Sequence, residues 1–224
     1  MKTLVRAGLM GLLLASSAAF AADLPVKAQR SMISPDLWTG FYIGAAANYR
    51  DGTVLDQGCI GLCVPNAHIR DGYMTVNAGY DYKFSNNVVL GVFGWIGVTP
   101  VRSEVTLAPG ILIKGETDFA GMIGGRLGYA VGSALPYFFV GAERVHGNVN
   151  IAVAPIPNNE RTHTGYGTGV GLEYLILPNL SVDGRYMYSY LDRQAYNFGG
   201  GITTAAESAH TLSLGVNYRF GWPR

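Results

Sequence analysis

Charged side chains recur on strand-like segments of this chain, and they are the residues best placed to do chemistry. Four acids and four bases share the polar side of an apolar–polar alternation. The acids are Asp81, Glu143, Glu173 and Asp183, and the bases are Lys83, Arg126, Arg185 and Arg219. Equal numbers of opposite charges predict a set of ion pairs, because charges withdrawn from water persist when they are paired and hydrogen-bonded.

The two cysteines, Cys59 and Cys63, lie close together in the stretch "QGCIGLC". In an exported protein this spacing predicts a disulfide that closes a tight loop. A metal site is the alternative, but it needs further ligands at a matching spacing, and His68 is the one candidate nearby. We therefore expect neither a bound metal nor a cofactor.

The four histidines, His68, His146, His163 and His210, fall at predicted loop or rim positions, where solvation is the simplest interpretation. The sequence contains no GxSxG, no HExxH and no phosphate-loop pattern. A hydrolytic site at the rim, with His146 beside a serine or an aspartate, is the alternative. We expect a protein that is not an enzyme.

The charged residues lie on eight segments in which apolar and polar side chains alternate with a period of two. Long and short connections follow one another in strict alternation, beginning with a long one. This pattern predicts an all-β, eight-stranded, antiparallel up-and-down barrel of the transmembrane type. The segments span residues 38–50, 71–84, 88–101, 116–131, 136–149, 164–177, 180–192 and 209–220.

The apolar faces of these segments carry aromatic residues towards their ends, as expected of girdles at two membrane interfaces. The predicted girdle consists of Tyr80, Tyr82, Tyr129, Tyr174, Tyr186, Tyr188, Tyr190, Tyr218 and Phe220. A charge that faces lipid near the midplane costs roughly 2–4 kcal/mol, so the charged face should line the lumen. A soluble barrel of the lipocalin type, with its apolar face inside, is the alternative.

An eight-stranded barrel is only wide enough for its own interior side chains to fill it. We therefore expect the eight charged residues, together with glycines, to form a polar plug. A narrow gated conduit is the alternative interpretation of the same charges.

The first residues resemble a secretory signal peptide, with Lys2 and Arg6 ahead of an apolar run and a small-residue cleavage site at Ala19–Ala21. The run is shorter than the ~20 residues of a spanning helix, although an uncleaved anchor is the alternative. The expected organisation is a signal peptide over 1–21, a periplasmic lead-in over 22–37, a barrel over 38–220 and a short extension over 221–224. Removing the leader changes the formal net charge from +1 to about −1, so nucleic acid is not an expected partner.

Several long stretches resemble the small outer-membrane β-barrel proteins of Gram-negative bacteria, a family that includes porin-like surface antigens and immunogenic and haemin-binding proteins. The stretches are "AADLPVKA", "WTGFYIGAAANY", "GGRLGYAVGSALPYFFVGAE", "GYGTGVGLEYLILPNLSVDGRYMYSYLD" and "LSLGVNYRF". Two features depart from the family pattern. The third segment reads "GVFGWIG" where acidic residues are common, and four residues follow Phe220.

The resemblance implies a non-enzymatic integral protein of the outer membrane that supports the envelope and acts as a surface antigen or adhesin through its loops. Its implied partners are outer-membrane lipid and lipopolysaccharide, a host or environmental ligand at the loops, and the insertion machinery that reads a terminal aromatic such as Phe220. A small porin and a haemin receptor using His68, His146 and His163 are the alternatives.

Overall fold

The computed structural model describes residues 38–60, 67–99, 101–108, 111–151, 160–197 and 202–221. These residues form nine strands, and every ladder between them is antiparallel. Within these ranges no helix is long and apolar enough to cross a bilayer. The strands are β1 (Gly40–Ile60), β2 (Ala67–Lys83), β3 (Val88–Gly97), β4 (Val101–Ala108), β5 (Ile111–Tyr129), β6 (Ala134–Ile151), β7 (Glu160–Leu177), β8 (Leu180–Asn197) and β9 (Ile202–Gly221).

The sheet closes into a barrel. The first strand, β1, pairs with β2 on one side and with β9 on the other, and β3 pairs with both β2 and β5. The nine strands occupy eight positions around the barrel, because β3 and β4 pair in succession with the same strand, β5. The predicted eight-stranded antiparallel barrel is confirmed. Closure leaves no open sheet edge within the bilayer, where an unpaired backbone group would find no water.

The strands run well beyond the segments that alternation identifies. The first strand continues through Cys59 to Ile60. In the last hairpin, β8 continues to Asn197 and β9 begins at Ile202, where the two residues pair. Much of what the sequence suggests to be loop is therefore paired strand. The prediction missed these extensions because a backbone ladder can continue where the side chains no longer alternate between apolar and polar.

The third barrel position is interrupted between β3 and β4. The β2–β3 ladder ends at Thr75 opposite Gly97, and among the described residues β4 pairs only with β5. Two hydrogen bonds close the edge at the break: Val98 N–H donates to Met74 O, and Met74 N–H donates to Thr99 Oγ1, each at 2.9 Å. Beyond this point no ladder joins β2 to β4 in the part of the chain that the structure describes.

Tight turns connect the strands at one end of the barrel, called here the tight-turn end. Two of them use a left-handed backbone: Asn87 has a φ of 66° and Gly132 a φ of 59°. Asparagine and glycine are the residues that adopt this conformation at least cost. The opposite end, where β1–β2, β4–β5, β6–β7 and β8–β9 meet, is called the hairpin end.

The outward and inward faces of the wall differ in polarity, in the way expected of a barrel that lies in a membrane. Along β9 the outward side chains Leu212, Leu214 and Val216 are exposed, whereas the inward Thr211 and Asn217 are buried. Exposed apolar side chains recur around the whole wall and form a continuous outward surface, the apolar belt. A soluble protein rarely exposes so large an apolar surface. The lipocalin-like alternative is therefore wrong, because the apolar face lies outside.

Candidate functional site

Four charged side chains meet inside the barrel near the tight-turn end, and we call them the interior network. Arg126 donates from Nε to Asp81 Oδ1 at 2.8 Å and from Nη1 to Glu173 Oε2 at 3.0 Å. Arg219 donates from Nη1 to Asp81 Oδ2 at 3.1 Å and contacts Glu173 Oε1 at 3.4 Å. Each guanidinium also contacts Asp81 through Nη2. The side chains are at most 4% exposed, so two guanidiniums balance two carboxylates away from water.

Neutral side chains complete the hydrogen bonds of the network. Glu173 Oε1 accepts from Ser181 Oγ at 2.5 Å and from Asn217 Nδ2 at 3.2 Å. Asn77 Nδ2 in turn donates to Asn217 Oδ1 at 2.9 Å. Buried ion pairs hold when their remaining lone pairs are satisfied in this way.

Aromatic rings enclose the two guanidiniums. The Arg126 Cζ lies 4.6 Å from the ring centre of Tyr42 and 5.0 Å from that of Tyr137. The Arg219 Cζ lies 4.7 Å from the ring centre of Trp38 and 5.1 Å from that of Tyr42. These separations are within the range of a cation–π interaction. The alternation pattern does not identify Trp38, Tyr42 and Tyr137 as residues of this site.

The register of the strands brings the network together. Asp81 lies opposite Gly91, and Gly91 lies opposite Arg126 on its other side. An ideal Cβ on Gly91 would overlap Asp81 Oδ1 and lie 3.2 Å from Arg126 Cγ. Gly91 therefore leaves the space through which the Arg126 guanidinium reaches the Asp81 carboxylate.

The other four residues of the predicted plug do not join the network. Arg185 Nε lies 2.9 Å from Asp183 Oδ2, and Tyr137 donates its hydroxyl to Asp183 Oδ1 at 2.6 Å. Lys83 forms no ion pair with any described residue, because it ends β2 at the half-exposed rim, where water solvates its ammonium group. Phe139 pairs with Arg126 across the β5–β6 ladder and therefore marks the height of the network on β6. Glu143 lies four residues further along β6 towards the hairpin end, which places it about 13 Å of strand away from the network.

Apolar side chains fill much of the remaining interior, which is less polar than the sequence suggests. Phe93 and Phe139 contact edge to face with ring centres 5.7 Å apart. Trp95, Met122 and Met187 belong to the same buried cluster. Phe139 could not be assigned to the interior from the sequence because β6 is apolar on both faces: Phe138 and Val140 point outward while Tyr137 and Phe139 point inward.

The predicted girdle residues lie on the outward face in two bands. Tyr80, Tyr82, Tyr129, Tyr174, Tyr218 and Phe220 lie towards the tight-turn end, and Tyr186, Tyr188 and Tyr190 lie towards the hairpin end. Ring contacts occur within both bands, with 5.0 Å between Tyr218 and Phe220 and 6.0 Å between Tyr166 and Tyr190. Such bands are typical of membrane–water interfaces.

Among the described residues, the histidines and cysteines singled out by the sequence do not come together as a set of metal ligands. His146 Nδ1 lies 2.9 Å from Thr162 Oγ1, His163 Nδ1 lies 3.0 Å from Asp192 O, and His68 Nδ1 lies 3.4 Å from Thr53 Oγ1. No three His, Cys, Asp or Glu side chains among the described residues are grouped to hold a metal ion. Cys63 lies outside the described residues, so its disulfide with Cys59 stays a prediction.

The predicted domain boundaries are also left open. Residues 1–37 and 222–224 lie outside the described residues, while Gly221 pairs with Gly40 as the last residue of β9. The signal peptide, the lead-in and the extension therefore stay predictions.

Comparison with known proteins assigns the barrel to a family. The family model described as "Outer membrane protein beta-barrel domain" matches residues 7–220 of the chain. The chain belongs to this outer-membrane β-barrel family. Its location in the outer membrane follows from the fold, from the apolar belt and from relatives that are named outer-membrane proteins.

Two relatives of this family member extend over most of its length. The 31 kDa outer-membrane immunogenic protein of Brucella melitensis biotype 1 is 27% identical over 245 residues, which cover 98% of this chain and 100% of that protein. The 22 kDa outer membrane protein of Rhizobium leguminosarum bv. viciae is 26% identical over 200 residues, covering 89% and 83% of the two chains.

Solved structures with a similar backbone are small outer-membrane barrels. OprG from Pseudomonas aeruginosa superposes with a TM-score of 0.53 at 12% identity, covering 82% of this chain and 97% of that one. Neisserial surface protein A gives a TM-score of 0.50 at 19% identity, covering 81% and 98%. At these identities the similarity shows the fold alone.

The Gly91→Ala variant of this outer-membrane β-barrel should be less stable by about 1–3 kcal/mol, the usual cost of forcing a methyl group into a filled interior. The new methyl group would displace the Asp81 carboxylate from Arg126. The urea midpoint of unfolding from lipid vesicles measures the loss.

Gly125→Ala is the matched control for this variant. It adds the same methyl group at the residue before Arg126, on the outward face that Ile123 and Leu127 share, where the nearest atom to an ideal Cβ is Gly91 O at an ordinary 3.6 Å. Equal midpoints for the two variants would contradict the spacing role given to Gly91.

Proposed function

We propose that this protein is a closed, non-enzymatic barrel that anchors surface-exposed hairpins in the outer membrane, where it supports the envelope and acts as a surface antigen or adhesin. The observation that carries this proposal is the interior network. Arg126, Arg219, Asp81 and Glu173 join strands from across the barrel, with aromatic rings packed against them. A lumen crossed by paired, desolvated side chains favours a plug over a conduit.

The length of the hairpins supports a role at the surface. On β1 the apolar belt ends at Tyr49, which is 51% exposed, while the strand continues to Ile60. The residues after Tyr49 extend about 35 Å along the strand. A membrane-spanning strand needs only about 9–11 residues, so this extension reaches beyond the bilayer. We orient the hairpin end outward, because outer-membrane barrels have short periplasmic turns and longer extracellular loops.

The names of the relatives agree with exposure at the surface. The Brucella relative is named an immunogenic outer-membrane protein. We extend that property to this chain as part of the proposal. Lipopolysaccharide at the outer leaflet and the insertion machinery at Phe220 are the proposed envelope partners.

Conductance of the refolded full-length protein in planar bilayers tests the closed barrel. We expect a heat-modifiable gel shift, which reports a folded barrel, together with no steady single-channel current. The same preparation must show both results, so that the absence of current cannot be attributed to unfolded protein. Discrete and reproducible channels would contradict the proposal and favour the small porin.

A further inference from the structure

A second interior site lies nearer the hairpin end, separate from the interior network. It is a cavity of about 220 Å³ at the break between β3 and β4. Its lining includes Arg50, Tyr73, Trp95, Asp118, Phe119 and Glu143. At about 30 Å³ per water molecule, this volume holds about seven waters or one small organic molecule.

One carboxylate oxygen in this cavity lacks a partner. Glu143 is 3% exposed, and its Oε2 accepts no hydrogen bond from any described residue. Ser189 hydrogen-bonds the Glu143 carboxylate, which leaves Oε2 as the unsatisfied atom. A buried carboxylate oxygen in this state is costly unless a donor or a cation reaches it.

The charge around the cavity favours a cation. Arg50 is the one guanidinium among its lining residues; Arg50 Nη2 lies 2.6 Å from Glu207 Oε1, and the Arg50 charge also attracts the Glu143 carboxylate. Two carboxylates among the lining residues, Glu143 and the exposed Asp118, outnumber this one guanidinium, so the lining is negative overall. A small anion would meet two carboxylates, whereas a cation would meet its counter-charges.

The walls of the cavity favour an organic cation over a metal ion. Tyr73 and Trp95 are buried and line the cavity, and Phe119 lines it from the break in the wall. Aromatic faces beside a carboxylate are the means by which proteins bind alkylated ammonium groups. A metal ion would need several oxygen or nitrogen ligands, and the described residues provide no group of three such side chains.

We propose that this cavity binds a small alkylated ammonium cation, with Glu143 as its counter-charge and Trp95 and Tyr73 as its aromatic walls. The interior network lies between this site and the tight-turn end. The site therefore adds a ligand-binding role to the closed barrel without requiring a conduit.

Calorimetric titration with choline tests the proposal on the full chain refolded in octyl glucoside, a detergent without an ammonium headgroup. Choline has about seven non-hydrogen atoms and fits the cavity volume. Its neutral isostere, 3,3-dimethylbutan-1-ol, has the same shape without the charge. We expect choline to bind with a dissociation constant on the order of 1 mM and the alcohol to bind at least about tenfold more weakly.

Two variants locate the binding. Glu143→Gln keeps the shape of the side chain and removes its charge, and it should weaken choline binding by about tenfold or more. Asp51→Asn makes the same change at a residue that is paired with Arg70 at the surface and does not line the cavity, so it should leave binding unchanged. The gel shift of each variant verifies that the barrel is folded.

Four results would overturn the proposal. Equal binding of choline and the alcohol would mean an apolar cavity without cation selectivity. Equal weakening by Glu143→Gln and Asp51→Asn would mean diffuse surface charge. No heat from choline at about a hundred times the expected dissociation constant would mean that water fills the cavity, and binding of dodecylphosphocholine alone would assign the ammonium chemistry to a lipid headgroup instead of a free solute.

Discussion

Replacing Arg126 by methionine is expected to lower the free energy of unfolding of the barrel by about 3–5 kcal/mol, the usual cost of removing one partner from a buried ion pair. Methionine fills a similar volume without the charge. Asp81 and Glu173 would then share one guanidinium, that of Arg219, in an interior where they are fully buried. Urea unfolding from lipid vesicles, followed by the gel shift, measures the change.

Arg70→Met is the matched control for this prediction. Arg70 pairs with Asp51 at 3.0 Å, but the two side chains are 67% and 41% exposed, so its removal should cost less than about 1 kcal/mol. Adding Asp81→Asn to Arg126→Met should restore part of the loss, because Arg219 and Glu173 are then balanced. A loss no larger for Arg126→Met than for Arg70→Met would show that the interior network does not hold the barrel together.

Replacing Ile123 by arginine should lower the free energy of unfolding by about 2–4 kcal/mol, the cost of a cation on the lipid face near the bilayer midplane. Ile123 lies on the outward face of β5, between Phe119 and Tyr129, and is 72% exposed. No opposite charge in lipid is available to offset the guanidinium. The same urea titration in vesicles measures the change.

Two further variants separate charge from the loss of isoleucine. Ile123→Ala removes the side chain without adding charge, and Val131→Arg places the same cation past Tyr129 at the tight-turn end, where it should cost about 0–1 kcal/mol. Equal costs for Ile123→Arg and Val131→Arg would contradict the assignment of the belt to the hydrocarbon core.

The interior network and the cavity lie at different heights along the barrel axis. Near the tight-turn end, every charge of the network has a partner of opposite sign. Nearer the hairpin end, Glu143 Oε2 accepts no hydrogen bond from any described residue. Satisfied buried charges are typical of a structural role, whereas an unsatisfied one beside a cavity is typical of a binding site.

The sequence by itself determined the barrel. A period-two pattern on eight segments specifies strands with one apolar face, and alternating connection lengths specify hairpins. Four of the predicted interior charges, Asp81, Arg126, Glu173 and Arg219, do meet inside. They could be found because each lies on the polar side of a clear alternation, and a charge cannot face lipid cheaply.

Only the tertiary structure decided which of those charges are partners. Lys83 and Glu143 share the polar face with the network residues, but lie at the rim and at a different height. Tyr137 and Phe139 needed the closed barrel to be assigned inward, because β6 is apolar on both sides. Alternation gives the face of a side chain, whereas its height relative to the other strands depends on the register of every ladder around the barrel.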